Sequence, residues 1–331
     1  MKENVSAIIC NTNMAVPSVL SLVMENPAVR FVILSDTQNI ITFLNSIQLN
    51  NCNIIKYNNY SRFFSYAPKK ELIKAMRAYN VKQVYFFHFD YGSLANWYLK
   101  KISRKSRVYF CYLYDRKPYK KLVFKECYKL KLLEFLHYGI WMDYHDEKIP
   151  SAPPSFYRKI NAETIKIDVK QDCIKSAVER LLPISNKGKV VLLAGSILSR
   201  NVVDKDEYSN KINELIGLIG VDKVVVKCHP RFDDMSQEEK GLEQISSFIP
   251  GNLLVYYYDI FIGYDSLLLV EAAHAGKKAI SLINVFDGKD VILKNNSIRY
   301  LEERLEGRGE IGYPNSVSEA IYLCGINTTI R

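Results

Sequence analysis

What most limits this chain is its alternation of short apolar runs with longer amphipathic ones. Ser6–Cys10, Arg30–Leu34, Asn53–Tyr57, Gln83–His88 and Arg107–Tyr114 read as strands, brief and rich in β-branched or aromatic residues. Between them, Val16–Met24, Gln38–Gln48, Lys69–Tyr79 and Leu94–Ile102 are long enough for helices. A strand that is followed by a helix and then another strand pairs in parallel, because the crossover returns the chain to the same end of the sheet. Parallel sheets need both faces covered, and the helices supply that cover. The pattern predicts an α/β fold.

After a basic helical stretch over Lys117–Phe135 the composition changes. Lys148-Ile149-Pro150-Ser151-Ala152-Pro153-Pro154 carries three prolines, which remove backbone donors and fix φ. We expect a linker over 149–162, between a first domain at 1–148 and a second at 163–331. The alternation then resumes. Lys189–Leu193, Lys223–Lys227, Asn252–Val255, Ile260–Ile262 and Lys278–Leu282 read as strands. Asp172–Leu182, Glu207–Gly217, Glu238–Ser246, Leu267–Ala275 and Ser316–Leu323 read as helices. Two α/β halves predict a ligand in the cleft between them.

With 331 residues, 48% hydrophobic and 24% charged, the chain has the makeup of a globular protein. Its longest apolar region, Leu253–Gly276, is broken by Asp259, Asp265 and Glu271 and is a poor membrane span. The opening residues show a first strand and no secretory pattern. Seven cysteines without a CxxC pair fit a reducing cytoplasm and predict neither disulfides nor a metal site. Net charge is +10, and between Lys100 and Lys131 twelve Lys or Arg face only Asp115 and Glu126. That block over 100–131 is expected to be a solvated face or a peripheral contact with anionic membrane. No nucleic-acid motif accompanies it.

The chemistry-bearing residues collect at strand ends, where ligands bind in open α/β sheets. Val224-Val225-Val226-Lys227-Cys228-His229-Pro230-Arg231 delivers an imidazole between two cations. A histidine there can hydrogen-bond a phosphate or act as a general acid, and Pro230 biases it toward an extended backbone. At Gly263-Tyr264-Asp265-Ser266 a strand meets a helix. Ser266 can cap that helix, whose first N–H groups attract anions, while Asp265 competes for them. Glu271 lies where it can reach a ribose or a base. Gly195 and Ser196 end another strand with small residues, and Asn11 ends the first strand with an amide. These spots predict a nucleotide-sugar site. A base for such chemistry is sought at Asp90 and Asp115, each following a strand of the first half. Asp204-Lys205-Asp206 matches a metal-binding DxD pattern, and in a charged loop such a tripeptide is usually chance.

Taken together, Cys10-Asn11-Thr12, Lys227-Cys228-His229-Pro230 and Gly263-Tyr264-Asp265-Ser266 resemble bacterial GT-B sialyltransferases, including the lipooligosaccharide sialyltransferase and polysialyltransferase families that build capsules and surface glycans. The resemblance implies two Rossmann-like domains whose parallel sheets face a central cleft. It implies a CMP-linked donor, usually CMP-sialic acid, a surface-glycan acceptor, and inverting transfer without a metal or other cofactor. His229 would contact the donor phosphate, Ser266 would bind the same phosphate, and an acidic motif would supply the base. Asp90-Tyr91-Gly92 and Asp115-Arg116-Lys117 depart from that motif. A CMP- or CDP-linked polyol-phosphate transferase and a non-catalytic nucleotide or glycan binder are the competing readings.

Overall fold

The computed structural model describes residues 3–58, 67–87, 93–112, 124–144, 150–151, 154–182, 190–195, 197–229, 235–287 and 291–326. The chain forms two compact units, Met1–Ala177 and Val178–Arg331.

The first unit runs β1 (Glu3–Ile9), α1 (Val16–Met24), β2 (Phe31–Ser35), α2 (Gln38–Ser46), β3 (Cys52–Lys56), α3 (Ala67–Met76), β4 (Tyr79–Phe87), α4 (Ser93–Ile102), β5 (Arg107–Tyr112) and α5 (Phe124–Tyr138). A small hairpin of β6 (Asp143–Tyr144) and β7 (Pro150–Ser151) follows, then α6 (Pro154–Lys159), β8 (Glu163–Lys166) and α7 (Gln171–Val178). Its sheet is parallel, in the order β3-β2-β1-β4-β5-β8. Every residue of β2 is buried, as expected of a parallel strand covered on both faces.

The second unit runs β9 (Val190–Leu193), α8 (Lys205–Ile219), β10 (Val224–Lys227), α9 (Gln237–Lys240), β11 (Glu243–Ile245), β12 (Ile260–Gly263), α10 (Leu267–His274), β13 (Lys278–Ser281), α11 (Val291–Leu305), β14 (Ile311–Gly312) and α12 (Val317–Cys324). Its sheet order is β11-β10-β9-β12-β13-β14, again parallel. Counted within each unit, both orders are 3-2-1-4-5-6, the doubly wound Rossmann arrangement. Two Rossmann-like units in tandem are the domain makeup of the GT-B class.

The expected domain boundary is corrected. Pro154 opens a helix rather than a linker, since its fixed φ and missing N–H suit the first helical position. Phe156 and Ile160 then bury in the core of the first unit, and the Tyr157 hydroxyl lies 3.3 Å from Asn96 Oδ1. β8 completes the first sheet by pairing with β5, Tyr109 opposite Glu163 through Tyr112 opposite Lys166. Lys170 N donates to Ser21 Oγ on α1 at 2.8 Å. Residues 163–177 therefore belong to the first unit.

Two local readings also change. The helix expected over Glu238–Ser246 is the short α9 followed by the edge strand β11. The strand expected over Asn252–Val255 is a 3-10 turn, Gly251–Tyr256, that buries Leu253, Leu254 and Val255.

One glycine shows how tightly the second unit packs. Gly309 has φ +79°, and a Cβ there would sit 2.3 Å from the Ala273 carbonyl oxygen at the end of α10. Gly309→Ala is expected to cost about 3 kcal/mol through strain and overpacking. A thermal melt checks this, and an unchanged midpoint refutes it.

Candidate functional site at the strand ends of the second unit

In a doubly wound sheet the ligand crevice lies beyond the carboxyl ends of the strands, where the strand order reverses. In the second unit that point is between β9 and β12, with β10 on the other side of β9. The three strands end level. Lys227 pairs opposite Leu193, and Ile262 opposite Leu192. At about 4.8 Å per strand, the ends of β10 and β12 stand roughly 10 Å apart. Gly263 packs closely here, since a Cβ would meet Leu193 Cβ at 3.0 Å and the leucine would have to give way.

His229 follows β10 by two residues and is half-buried. The β10 end is tied to both neighbours. Ala194 N donates to Lys227 O at 3.2 Å, and Cys228 N donates to Ile245 O at 3.2 Å. His229 thus directly follows a backbone tied to both neighbouring strands. Pro230 and Arg231 lie outside the described residues.

Lys227 takes a different part from the expected ligand contact. It is buried, and its ammonium donates to the carbonyls of Cys228 at 2.9 Å, Ser246 at 3.1 Å and Ser247 at 3.5 Å. Its three protons are spent on the backbone, so it braces the loop behind β10. Burial pulls its pKa down to about 8.

Ser266 caps α10 as expected, accepting from Leu268 N at 3.3 Å, and is half-buried. The turn before it is held from beneath. Ser281 Oγ donates to the Tyr264 carbonyl at 2.5 Å, and buried Tyr264 lies against Phe286. Asp265 was expected to compete for an anion. Its carboxylate instead accepts from Arg200 Nη2 at 2.8 Å and from Ser297 Oγ of α11 at 3.3 Å. Arg200, on the loop after β9, is a cation that the sequence reading missed. Nothing in Ser199-Arg200-Asn201 marks it, because its partner lies 65 positions away.

Gly195 follows β9, half-buried, and a Cβ there would make only an ordinary 3.5 Å contact with Ile197. Its smallness is not a packing need of the fold. Ser196 lies outside the described residues. Asp204 is an N-cap, accepting from Asp206 N at 2.9 Å and Glu207 N at 3.2 Å at the start of α8. Among the described residues no group of three or more His, Cys, Asp or Glu is placed to hold a metal ion.

Glu271, one turn into α10, is half-buried, and burial pushes its carboxyl up to about 7. The folded chain therefore holds this proton more tightly than the unfolded chain, where the value is 4.5. Stability from this group is full below pH 4.5 and is lost as pH rises through 7. Glu271→Gln is expected to change the melting point little at pH 4.5 and to stabilise by about 3 kcal/mol at pH 8. Parallel melts of both proteins across that range check it, and equal slopes refute it.

In the first unit, Asn11 sits at the reversal point of its own sheet. Its amide is engaged in the fold, since Nδ2 donates to the Tyr57 hydroxyl at 2.5 Å and Oδ1 accepts from Asp36 N at 3.1 Å. It ties together the ends of β1, β2 and β3, a positioning part rather than the expected ligand contact. Both base candidates, Asp90 and Asp115, lie outside the described residues.

No protein-family model matches the chain, and no curated protein does. Among solved structures it is similar to a sialyltransferase from Photobacterium damsela, at 12% identity, covering 94% of this chain and 81% of that one, with a TM-score of 0.49. It is similar to the wall teichoic acid polymerase TagF at 10% identity, covering 98% and 88%, with a TM-score of 0.43. A UDP-GlcNAc 2-epimerase from Methanocaldococcus jannaschii shows 13% identity, covering 97% and 99%, with a TM-score of 0.44. Each is a likeness of architecture, and the chemistry of this chain is argued from its own residues.

Proposed function

We propose that the chain is a glycosyltransferase that moves a nonulosonic acid, in the first instance sialic acid, from a CMP-linked donor to a surface-glycan acceptor. The observation that carries this reading is the convergence of His229, the Ser266-capped start of α10 and Arg200 on the strand ends of one Rossmann-like unit. An imidazole, a helix N-terminus and a guanidinium together suit a phosphate that gains charge as its bond to the sugar breaks.

The roles follow from that charge. Ser266 and the first N–H groups of α10 hold the phosphate of CMP. His229 donates a hydrogen bond or a proton to the departing phosphate oxygen. Arg200 leaves Asp265 in part to balance the remaining charge, and Glu271 is within the same helix for the ribose or base. The acceptor hydroxyl oxygen bonds to the anomeric carbon as the carbon–oxygen bond to phosphate breaks, with inversion. Its proton passes to a carboxylate, for which Asp115 is the first choice and Asp90 the second. Neither a metal ion nor another cofactor has a part.

Incubation with CMP-sialic acid and an oligosaccharide acceptor tests the reading. Acceptor-dependent CMP release that persists in EDTA supports it, and the mass of the product identifies the group moved. A polyol-phosphate product moves the chain to the teichoic-acid type of transferase. CMP binding without turnover on any donor makes it a binder, and no CMP binding removes the reading altogether.

A further inference from the structure

α5 is built the wrong way round for a helix that covers a soluble core. Its inward side carries Lys131, only 3% exposed, with its ammonium 4.0 Å from Asp143, and the buried Tyr138 seven residues on. Its outward side carries Lys129, Leu132, Leu133 and Leu136, which share a face at spacings of three and four. Leu136 is 64% exposed, and Phe135, beside it, is 45% exposed and meets Trp141 edge-on at 5.9 Å. An apolar surface of this extent on a soluble chain marks a place where something docks.

The surroundings state the chemistry of the occupant. Lys100, near the end of α4, donates to the Gly139 carbonyl just past α5 at 2.7 Å, and Lys69 of α3 donates to the His137 carbonyl. Lys101 stands over the Trp97 ring at 5.1 Å, and burial together with Lys101 pulls the pKa of Lys69 down. Arg104 and Lys105 follow, both exposed. Cations thus collect where the leucine face ends. Leucines flanked by lysines, on a helix lying flat on the surface, match the interface of a bilayer with anionic headgroups.

We propose that the outward face of α5, with the basic ends of α3 and α4, docks on an anionic lipid bilayer. The leucines enter the headgroup boundary and the lysines meet the phosphates. This differs from a purely basic contact over 100–131. Lys131 faces inward, 113–123 lie outside the described residues, and apolar insertion carries part of the affinity. Among the described residues no helix is long and apolar enough to cross a membrane, so the contact is with one leaflet. The inference is independent of the sugar-transfer reading, and either can fail alone.

Sedimentation of the full chain with phosphatidylcholine vesicles, with and without phosphatidylglycerol, tests it. The expected result is binding to the anionic vesicles at low salt, weakened by salt. The double variant Leu132→Glu, Leu136→Glu lies on the exposed face, should melt like the parent, and should lower partition about tenfold or more. Lys101→Gln with Lys129→Gln should weaken binding at low salt only. Trp141 emission should shift to the blue on anionic vesicles in the parent and not in the leucine variant. No binding at low salt overturns the proposal, as does binding that the leucine variant leaves unchanged. A concentration-dependent dimer that the leucine variant dissolves, without vesicle binding, assigns the face to a second copy of the chain instead.

Discussion

His229→Ala is expected to lower turnover of a CMP-linked donor by about 10²–10⁴-fold while leaving the fold intact. The loss corresponds to roughly 3–5 kcal/mol of transition-state stabilisation. The imidazole is half-buried beyond the last paired residue of β10, so its removal should cost stability only about 1 kcal/mol. The experiment compares turnover, CMP affinity and melting point of the two proteins. A large fall in rate with a small change in CMP affinity places His229 on the leaving group. Equal turnover shows it to be a structural histidine, and the proposed chemistry then loses its acid.

Two positions earlier the expectation is reversed. Lys227→Met should destabilise the second unit by about 2–4 kcal/mol, because the carbonyls of Cys228, Ser246 and Ser247 lose a buried charged donor. For a unit of this size the melting point should fall by roughly 4–16 °C. Below pH 8 the ammonium carries its charge, so the effect should be evident at neutral pH. Molecules that remain folded should bind CMP as the parent does. Weakened CMP binding at an unchanged melting point would show instead that the ammonium faces the ligand. Neighbours on one strand end thus separate cleanly, one by rate and the other by melting.

Much of the architecture was legible because the alternation of short and long apolar segments is a local signal. α1 falls on Val16–Met24 as read, and β12 and α10 fall within a residue of their expected bounds. What failed was whatever depends on partners far away in sequence. The prolines around 150–154 read as a linker, yet one of them starts a helix whose Phe156 reaches a distant core. α11 went unread because Asn295, Asn296 and Ser297 interrupt its pattern and only Leu301 and Leu305 are buried. The strand-end histidine and serine were visible because a strand announces its own end. Arg200 was not, because its meaning lies in an ion pair across the sheet reversal. Lys227 and Asn11 were recognised as notable, but their hydrogen bonds turn them toward the fold.

The late position of β8 has a consequence for how the chain is made. β5 ends at Tyr112, and the strand that covers its open edge begins only at Glu163, about fifty residues later. At about 5–20 residues per second, a nascent chain carries that unpaired edge for roughly 3–10 s. An uncovered parallel edge is a template for pairing with other chains. During synthesis the first unit is therefore an unfinished sheet, and it should need chaperone attention in that interval rather than after release. Moving the stop codon upstream of Glu163 should make the product aggregate, whereas a stop after Ala177 should spare it.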